Sequence, residues 1–391
     1  MTEETEILIA GAGIAGLTAA LALAQRGCSV TVVDAFEEPS EVGAGLQVAP
    51  NASRILRTLG VLDALVSKAI APEAIRLGDG QTGDMLLEMP ITPAWLERMD
   101  APYLTAHRAA LHSVLYTAAV ANPAITLKTG HAVADVREDG EHVTTVLKTA
   151  DGEAVIVSRL LIGADGIWSR VRESVPGAAQ PQATGRIAWR AIGPASGNGP
   201  NVTAWMIPNG HIVTYPVRNA DTLNVVAITQ GRSEKGDWAQ TADADMLVRL
   251  LGTTHPIRGF EGMDKAHWTT WPLNAVAPEA PWNSGRILLI GDAAHGMEPF
   301  AAQGAAMAIE DGFAAGICLA NAVDNPTPAF ARYDGLRRGR VRKVAKRTEF
   351  NRWVYHQSGP GRTVRNFLFS KRSPQSFLSD LDWLYGYRIP E

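Results

Sequence analysis

The sequence predicts an α/β fold with a parallel sheet, an inserted and mainly antiparallel β-sheet, and a helical C-terminal region. Three observations support this fold class. An apolar run over residues 6–10 leads through glycines into an Ala/Leu-rich helical pattern over 17–26, which is the order of a βαβ unit. Strand-like runs broken by turn residues fill 185–273, and helical patterns follow residue 326.

Composition limits the class of protein. The 391 residues are 46% hydrophobic and 19% charged, which excludes a disordered chain and allows a large buried core. A formal net charge of −4 gives no reason to expect nucleic acid as a partner. Cys28 and Cys318 are too few for a disulfide framework or a cysteine-rich metal site. The start is acidic and glycines interrupt the apolar run 7–24, so we expect a cytoplasmic protein without membrane association.

Residues 6–10 predict a buried parallel strand, because the run is apolar without alternation. Gly11, Gly13 and Gly16 follow it with G-x-G-x-x-G spacing, ahead of the predicted helix. The first glycine allows a tight turn, the second lets the backbone approach a pyrophosphate, and the third lets the helix pack on the strand. This pattern predicts a dinucleotide whose diphosphate binds at the helix N-terminus, without specifying which dinucleotide.

The next elements complete the first part of the chain. A second strand is predicted over 29–34 and ends at Asp34, where a carboxylate would accept hydrogen bonds from an adenosine ribose. Helices are predicted over 50–59 and 108–120. Short strands joined by Asp-Gly turns are predicted over 126–165.

Two later segments repeat the pattern of a buried strand that ends beside an acidic residue. One apolar run ends at Asp165, and another, over 286–291, is followed by Asp292. An enzyme that binds only NAD has no use for a second such site, whereas a flavin extends well beyond its diphosphate and needs further anchors. A small-residue helix is predicted over 304–319. We divide the chain into 1–180, 181–275, 276–325 and 326–391.

The glycine-rich turn, the Asp-Gly segment and the Gly-Asp segment together resemble the FAD-dependent aromatic hydroxylases (class A flavoprotein monooxygenases, the p-hydroxybenzoate hydroxylase superfamily). Residues 185–190 and 381–387 resemble its salicylate hydroxylase-like members. The resemblance implies a Rossmann-like FAD-binding domain made of 1–180 and 276–325. The sheet of 181–275 would then be the substrate-binding domain, followed by C-terminal helices over 326–391.

The resemblance also implies a set of FAD contacts. The loop 41–51 would flank the flavin ring, and Arg108 would reach the diphosphate region, although Ala110 replaces the acidic residue usual in that segment. The helix N-terminus at 304 would favour negative charge on the reduced ring, unless 304–308 serves only helix packing. The predicted FAD-binding residues are Gly11, Gly13, Ala15, Gly16, Asp34, Gly45, Leu46, Gln47, Arg108, Asp165, Asp292, Pro299, Gly304 and Ala305.

The resemblance implies in addition that three residues face the substrate: His211, Tyr215 and Gln303. His211, Val213 and Tyr215 point to one face of a strand, because side-chain direction alternates. Deprotonating a ring hydroxyl makes an aromatic ring more electron-rich, and an unperturbed histidine accepts a proton near neutral pH. Tyr215 is expected to be a positioning hydrogen-bond donor. An ordinary histidine on a sheet surface remains the alternative for His211.

The resemblance implies a monooxygenase that uses FAD, NADH or NADPH, and O2. It would hydroxylate a hydroxylated aromatic or heteroaromatic acid through a C4a-hydroperoxyflavin, with or without decarboxylation. The alternatives are a flavin-dependent epoxidase, a urate-type hydroxylase acting on a non-benzoate substrate, a non-enzymatic dinucleotide-binding protein, and an NAD-only dehydrogenase. A homodimer, the choice of coenzyme and the ring position hydroxylated are left open.

Two further expectations concern charged and histidine residues. The histidines beside the motifs, His107, His112 and His295, lack metal-ligand spacing, so we expect structural roles and no bound metal. The basic run over 332–347 is expected to form a solvated helix face or a subunit contact.

Overall fold

Two eight-stranded sheets organise the chain in the computed structural model. The structure describes residues 2–37, 45–194, 199–208, 210–231 and 266–390, together with 240–242, 247 and 249. Strands and helices are numbered along the chain. The strands of the first sheet are β1 (Thr2–Ala10), β2 (Val30–Val33), β7 (Ile125–Lys128), β8 (Ala132–Glu138), β9 (Val143–Thr149), β10 (Gly152–Gly163), β17 (Asn283–Ser284) and β18 (Ile287–Leu289).

The centre of the first sheet is parallel. The strand order is β17-β18-β10-β1-β2-β7, with β9 paired antiparallel to β10 and β8 to β9. The last four residues of β1 and all four of β2 are buried. Such strands are apolar on both sides because helices cover both faces of a parallel sheet. The buried strands predicted near residues 6–10, 29–34 and 286–291 are confirmed, and β1 pairs in parallel with β2, and β10 with β18.

The second sheet is mainly antiparallel, as expected. Its strands are β4 (Ala74–Asp79), β5 (Met85–Pro90), β11 (Gln182–Pro194), β12 (Asn201–Ile207), β13 (Gly210–Val217), β14 (Asn219–Gln230), β15 (Gln240–Ala242) and β16 (Trp268–Ala275). Among the described residues the order is β15-β16-β11-β14-β13-β12-β4-β5, with one parallel pair, β12 and β4. The sequence division placed residues 74–90 in the first part, but they form β4 and β5 of this sheet, because β4 covers the edge of β12.

The helices surround the first sheet and form the C-terminal region. Those predicted over 108–120 and 304–319 have these bounds in the structure, and 50–59 is one residue too long. The helices are α1 (Ile14–Ala24), α2 (Pro50–Thr58), α3 (Leu62–Val66), α4 (Pro93–Met99), α5 (Arg108–Val120), α6 (Asp292–His295), α7 (Gly304–Leu319), α8 (Thr327–Tyr355), α9 (Gly359–Lys371), α10 (Pro374–Ser379) and α11 (Asp382–Tyr385).

A close helix pair joins the first and third parts of the chain. Helices α1 and α7 are both rich in alanine and glycine. A Cβ on Gly312 of α7 would lie 2.5 Å from the carbonyl oxygen of Ala15, and one on Gly316 would lie 2.4 Å from the Cβ of Ala22. Only glycine permits this approach, so the small-residue pattern of 304–319 serves packing against α1.

A two-stranded sheet connects the two large sheets. It pairs β3 (Gly45–Val48) antiparallel with β6 (Leu104–His107). The backbone N–H of Gly45 donates to Oδ1 of Asn224 on β14 at 2.6 Å, and Oγ1 of Thr105 donates to the carbonyl of Pro216 on β13 at 2.7 Å. These bonds hold the two-stranded sheet, which includes part of the predicted flavin-flanking loop, against the second sheet. Residues 41–44 of the predicted loop lie outside the described residues.

Candidate active site

The carboxyl ends of three parallel strands meet at one edge of the first sheet. Ala10 at the end of β1 pairs with Gly163 at the end of β10, which pairs with Leu289 at the end of β18. The glycine-rich turn follows β1, Asp165 follows β10, and Asp292 follows β18. Ligands of open α/β sheets bind in the crevice at this edge. The strand order therefore brings three distant segments of the sequence into one cleft.

The three glycines of the turn have different surroundings. Gly11 has a φ of +106°, and a Cβ there would lie 2.4 Å from the carbonyl oxygen of Ala164. A Cβ on Gly16 would lie 1.9 Å from the carbonyl oxygen of Gly11. A Cβ on Gly13 would meet no protein atom within 4 Å. Two glycines are therefore required by the packing of the protein itself, whereas Gly13 borders open space at the start of α1.

Asp34 supports the turn directly. Its Oδ2 accepts a hydrogen bond from the backbone N–H of Ala12 at 2.6 Å, and its Oδ1 accepts one from Phe36 at 2.9 Å. Each carboxylate oxygen can accept more than one hydrogen bond. Asp34 thus fixes the glycine-rich turn, a role that the sequence did not reveal, and its contact with an adenosine ribose stays a prediction.

Asp165 has one satisfied and one unsatisfied carboxylate oxygen. Its Oδ2 accepts hydrogen bonds from the backbone N–H groups of Arg170 at 2.7 Å and Val171 at 3.1 Å. Its Oδ1 is buried and has no partner among the described residues. Burial raises the pKa of Asp165, and its hydrogen bonds oppose that shift. A buried oxygen without a partner is expensive, which marks a place where a ligand donor would be accommodated.

Asp292 and Arg108 lie near each other at the cleft. Asp292 is the first residue of α6, and its side chain is exposed. Protein atoms nevertheless surround this carboxyl group, and the resulting desolvation raises the pKa of Asp292. Among the nearby charges, that of Arg108 opposes this rise most strongly. Arg108 is the first residue of α5 and is also exposed, with no hydrogen-bond or ion-pair partner within the described part of the chain. The cleft therefore holds an unpaired guanidinium.

A buried ionic network supports the cleft from behind, and the sequence analysis missed it. The expectation of a solvated face for 332–347 is wrong at Arg337 and Arg340, which are 0% and 6% exposed. Arg337 pairs with Glu310 at 2.5 Å and with Asp311 at 2.7 Å, and Arg340 pairs with Glu310 at 2.9 Å. Two acidic residues inside the small-residue helix α7 require buried cations. That acidic pair was the signal available in the sequence.

Asp311 connects this network to the Gly-Asp motif, which consists of Gly291 and Asp292. Its Oδ2 accepts a hydrogen bond from the backbone N–H of Gly291 at 2.8 Å and lies 2.5 Å from Nε2 of His295. Burial alone would raise the pKa of Asp311, but His295 and Arg337 outweigh burial and hold it below its ordinary value. Asp311 is therefore ionised, and it fixes the turn that positions Asp292. The structural role expected for His295 agrees with this contact.

The segment between α6 and α7 lies between the cleft and a second cavity. Pro299–Ala301 is a 3-10 turn, and Gln303 precedes the first residue of α7. Gln303 is buried, and its Oε1 accepts a hydrogen bond from Nδ2 of Asn51 at 3.1 Å. Gly304 is exposed and a Cβ there would meet no protein atom within 4 Å, with Ala305 next to it. The N-terminus of α7 therefore borders open space.

An aromatic cavity of about 150 Å³ lies between the second sheet, the 3-10 turn and the C-terminal helices. Its wall contains residues from β3, β12, β13, α8 and α11. Tyr215 and Gln303 are not among the described lining residues, although Gln303 directly follows Ala302 and Tyr215 lies two residues beyond Val213, and both Ala302 and Val213 line the cavity. The polar and aromatic members used below are Gln47, Tyr103, His211, Phe300, Tyr355 and Tyr385.

His211 is 1% exposed and contacts a second histidine that sequence reasoning missed. Its Nδ1 lies 3.2 Å from Nε2 of His356, just after the end of α8. The ring of His211 also packs 5.0 Å from Phe300 and 5.3 Å from Tyr355. Burial and His356 hold the pKa of His211 well below its ordinary value, and burial with Arg186 and Arg352 lowers that of His356 to about 4. Both imidazoles are therefore neutral at neutral pH.

Tyr215 lies two residues beyond Val213 on the same face of β13, and Val213 lines the cavity beside His211. A Cβ on Gly45 would lie 2.6 Å from Cε2 of Tyr215, so the strand β3 approaches this tyrosine closely. Burial raises the pKa of Tyr215, against the charge of Arg190. The phenol therefore stays protonated and can donate a hydrogen bond.

Gln47 and Tyr103 form a second polar pair in the cavity wall. The hydroxyl of Tyr103 donates to Oε1 of Gln47 at 2.5 Å. Gly45, Leu46 and Gln47 were predicted in a loop beside the flavin ring, but they form the strand β3, and the side chain of Gln47 lines the cavity. Their contact with FAD stays a prediction. Tyr103 was missed, although it directly precedes the strand that leads to Arg108. Burial raises its pKa well above the ordinary value, so Tyr103 is a neutral donor.

A family profile described as an FAD binding domain matches residues 4–348. This match covers the cleft, both sheets and most of α8. The chain belongs to the FAD-binding domain family. The predicted resemblance is thereby confirmed, and FAD is the cofactor of this flavoprotein.

Curated relatives match the flavoprotein over nearly its whole length. The 3-hydroxybenzoate 6-hydroxylase of Klebsiella oxytoca is 31% identical over 396 residues, covering 99% of this chain and 98% of that protein. The 6-hydroxynicotinate 3-monooxygenase of Pseudomonas fluorescens is 35% identical over 379 residues, covering 92% of this chain and 94% of that protein. With relatives named as monooxygenases at this coverage, the flavoprotein is a monooxygenase, as expected.

Solved structures share the fold. HpxO of Klebsiella pneumoniae in complex with FAD and uric acid superposes with a TM-score of 0.82 at 21% identity, covering 96% of this chain and 95% of that one. A salicylate hydroxylase in complex with its substrate gives a TM-score of 0.79 at 23% identity, covering 99% and 96%. The predicted fold class of the flavoprotein is confirmed.

The cleft of the flavoprotein fits FAD by observations of its own residues. Open space borders Gly13 at the start of α1 and Gly304 at the start of α7, where helix N-termini favour phosphate or anionic ring atoms. Asp165 offers a buried oxygen without a partner, and Arg108 offers an unpaired cation for a diphosphate. A long ligand with a diphosphate in its middle, such as FAD, would satisfy each of these groups.

Two other classes of site were searched in the part of the flavoprotein that the structure describes. No cluster there brings three or more His, Cys, Asp or Glu side chains together for a metal ion. No helix among the same residues has both the length and the apolar character needed to cross a membrane.

Proposed function

We propose that the flavoprotein hydroxylates a one-ring aromatic or heteroaromatic acid that carries a ring hydroxyl, using NADH or NADPH and O2. The observation that carries this proposal is the aromatic cavity of about 150 Å³, with His211 in its wall beside the 3-10 turn. A cavity of about this size accommodates a benzene ring in an engineered protein. Cavity size therefore supports a single ring rather than a fused or polycyclic substrate.

The names of the relatives support the same substrate class. The two relatives described above are named for 3-hydroxybenzoate and 6-hydroxynicotinate, and a further one, from Streptomyces platensis and 32% identical, is named for 3-amino-4-hydroxybenzoate. All three named substrates are single aromatic rings with a carboxylate and a hydroxyl. We propose that this flavoprotein acts on a ring of that kind.

His211 would activate the substrate hydroxyl. If Nδ1 of His211 donates to Nε2 of His356 at 3.2 Å, Nε2 of His211 becomes the atom that accepts a hydrogen bond from the substrate. Burial makes His211 a weak base, so a proton taken at Nε2 has to be compensated by release of the Nδ1 proton to His356. His356 is half-buried and can pass the proton to solvent. Tyr215 would donate a hydrogen bond that positions the substrate, and Tyr103, whose hydroxyl proton is donated to Gln47, would fix Gln47 in the cavity wall.

The remaining predicted residues would hold the cofactor. When bound, FAD supplies the acceptance of hydride from NAD(P)H and the activation of O2. The glycine-rich turn and Arg108 would hold the diphosphate, with Asp34, Asp165 and Asp292 accepting its hydroxyl donors. The N–H groups of Gly304 and Ala305 would stabilise negative charge on the reduced ring, and Pro299 would pack against it. Gln303, fixed by Asn51, would lie between ring and substrate.

A substrate screen tests the proposal. The purified flavoprotein is assayed with 3-hydroxybenzoate, 4-hydroxybenzoate, salicylate and 6-hydroxynicotinate, with NADH or NADPH under ¹⁸O2. We expect at least one acid to accelerate coenzyme oxidation and to yield a ring-hydroxylated product containing one ¹⁸O atom. Coenzyme oxidation without labelled product from any of the four acids contradicts the proposal. Labelled product from urate, or an epoxide, supports the alternatives instead.

We also propose a cytoplasmic location. Both cysteines, Cys28 and Cys318, are buried and unpaired. Burial raises the pKa of each thiol, so both are small core residues rather than reactive groups. Free thiols and the demand for NAD(P)H agree with a reducing compartment. Detection of the protein in a cytoplasmic fraction, against a periplasmic marker, tests this location.

A further inference from the structure

The charged residues of the aromatic cavity are unequally paired. Its described wall contains two cations, Arg347 and Arg372, and one carboxylate, Asp380. Arg372 and Asp380 form an ion pair with each other. Arg347 forms no ion pair with any carboxylate of the described chain. The cavity therefore has one net positive charge, and that charge resides on Arg347.

Arg347 is also incompletely hydrogen-bonded. Its Nε is buried and has no partner among the described residues. The guanidinium lies 5.4 Å from the ring centroid of Phe350, and its charge opposes the effect of burial on the pKa values of Tyr355 and Tyr385. It is thus placed among aromatic groups. A buried N–H of a charged group without an acceptor is costly, unless a ligand supplies that acceptor.

Arg347 lies two turns of α8 away from the part of the cavity that contains His211. Arg347, Asn351 and Tyr355 recur every four residues, so they lie along one face of the helix, and all three line the cavity. At 1.5 Å per residue the first and last Cα atoms are about 12 Å apart. Tyr355 contacts the ring of His211 at 5.3 Å, whereas Arg347 lies two turns away. The cation and the histidine are therefore at different ends of one cavity.

We propose that Arg347 binds the carboxylate of the aromatic acid and thereby selects anionic substrates. A guanidinium can give a carboxylate two parallel hydrogen bonds, and here one of its donors has no competing partner. With the carboxylate at Arg347, the ring hydroxyl points to His211. This inference rests on the proposed function, since it names the residue that binds the carboxylate of the proposed substrate.

The test compares an acid with its neutral amide. Dissociation constants of the holoprotein for 3-hydroxybenzoate and 3-hydroxybenzamide are measured by isothermal titration calorimetry and by the change in flavin absorbance. Arg347→Gln should weaken binding of the acid at least tenfold and change binding of the amide less than threefold. Arg347→Lys should restore part of the affinity, because it restores the charge without the paired geometry. Lys346→Gln, an exposed neighbour on α8, is the matched control and should behave as the wild type.

Three outcomes separate this inference from the proposed function. If the wild type binds and hydroxylates the acid, and Arg347→Gln binds it with unchanged affinity, Arg347 is not the anchor and the proposed function stands. The same conclusion follows if acid and amide lose affinity equally. If the wild type neither binds nor hydroxylates any acid of the screen, the proposed function and the role of Arg347 both fail.

Discussion

The cofactor cleft and the aromatic cavity are built from different parts of the polypeptide. The cleft is mainly backbone: strand ends, glycine turns and the N-termini of α1 and α7. The cavity is lined mainly by side chains, among them those of β3, β12, β13, α8 and α11 and that of Tyr103 next to β6. Backbone geometry tolerates little change, whereas side chains in a cavity contribute separately. We therefore expect substitutions around the cleft to abolish cofactor binding, and substitutions in the cavity to have graded effects.

The largest effect is expected for Arg337→Met. This change leaves Glu310 and Asp311 buried beside a neutral side chain, and breaking a buried ion pair on one side costs about 3–5 kcal/mol. Because Asp311 fixes Gly291, the variant should also lose FAD during purification. Thermal unfolding and the ratio of flavin absorbance to protein absorbance measure both losses.

Arg342→Met is the matched control for Arg337→Met. Arg342 lies on the same helix, is exposed, and has no hydrogen-bond or ion-pair partner among the described residues. The control should therefore keep its flavin and its unfolding temperature. Equal behaviour of the two variants would show that the network does not support the cleft.

A pair of glycine substitutions separates internal packing from cofactor contact. Gly16→Ala places a Cβ 1.9 Å from the carbonyl oxygen of Gly11, which should cost about 3 kcal/mol and prevent flavin retention. Gly13→Ala meets no protein atom within 4 Å, so the apoprotein should unfold as the wild type does. Its added methyl group should still weaken FAD binding at least tenfold. Apoprotein unfolding and flavin titration test both statements. A Gly13→Ala variant with wild-type FAD affinity would contradict the proposal that FAD occupies the open space beside Gly13.

The same difference explains how much of the molecule was predictable. Asp165 and Asp292 stand directly after apolar strands, so the pattern around them predicts position as well as chemistry. His211 was singled out because its strand resembles one that lines the substrate pocket in the related family, and the alternation that places it on one face with Val213 and Tyr215 is local. His356 and Arg347 were not found, because neither has a local pattern that relates it to β13 or to the cavity. Their contacts depend on how a helix at the end of the chain packs on a sheet in its middle.

The buried network shows a second limit. Arg337 and Arg340 belong to a run of basic residues that in isolation is typical of a solvated helix face. Their burial follows from Glu310 and Asp311 on α7, which precedes α8 along the chain. Whether the residues of a basic run are exposed or buried can therefore be predicted only if acidic residues inside apolar helices are considered at the same time. At Asp34 the sequence predicted a functional carboxylate at the correct place, but it did not predict that this carboxylate accepts a hydrogen bond from Ala12.

In the cavity we expect His211→Gln to lower hydroxylation about 100-fold, the usual contribution of one proton-transfer residue. The flavin should remain bound and the fold intact, because glutamine can hydrogen-bond to His356. Coenzyme oxidation should continue but produce H2O2 in place of hydroxylated product. Product yield per coenzyme oxidised, with an H2O2 assay, measures this uncoupling. His142→Gln, on the turn between β8 and β9, is the control, and unchanged coupling in His211→Gln would remove His211 from the reaction.

The smallest effect concerns the pH dependence of stability. His356 has a pKa of about 4 in the folded protein and about 6.5 when unfolded, and His211 shifts in the same direction. Between these values the unfolded state binds more protons, so stability present above pH 6.5 is lost as the pH falls towards 4. Going from pH 7.5 to pH 5, this should lower the free energy of unfolding by about 1–2 kcal/mol.

His356→Gln isolates this contribution from those of the cleft. Asp165 and Asp292 have raised pKa values, so they bind more protons in the folded state and oppose the histidines at low pH. These carboxylates are the same in both proteins, and denaturant unfolding at pH 7.5 and pH 5 therefore gives the histidine contribution as a difference. The variant should lose less stability than the wild type. If both proteins lose the same amount, the histidine pair does not resist protonation, and His211 is a stronger base than its burial implies.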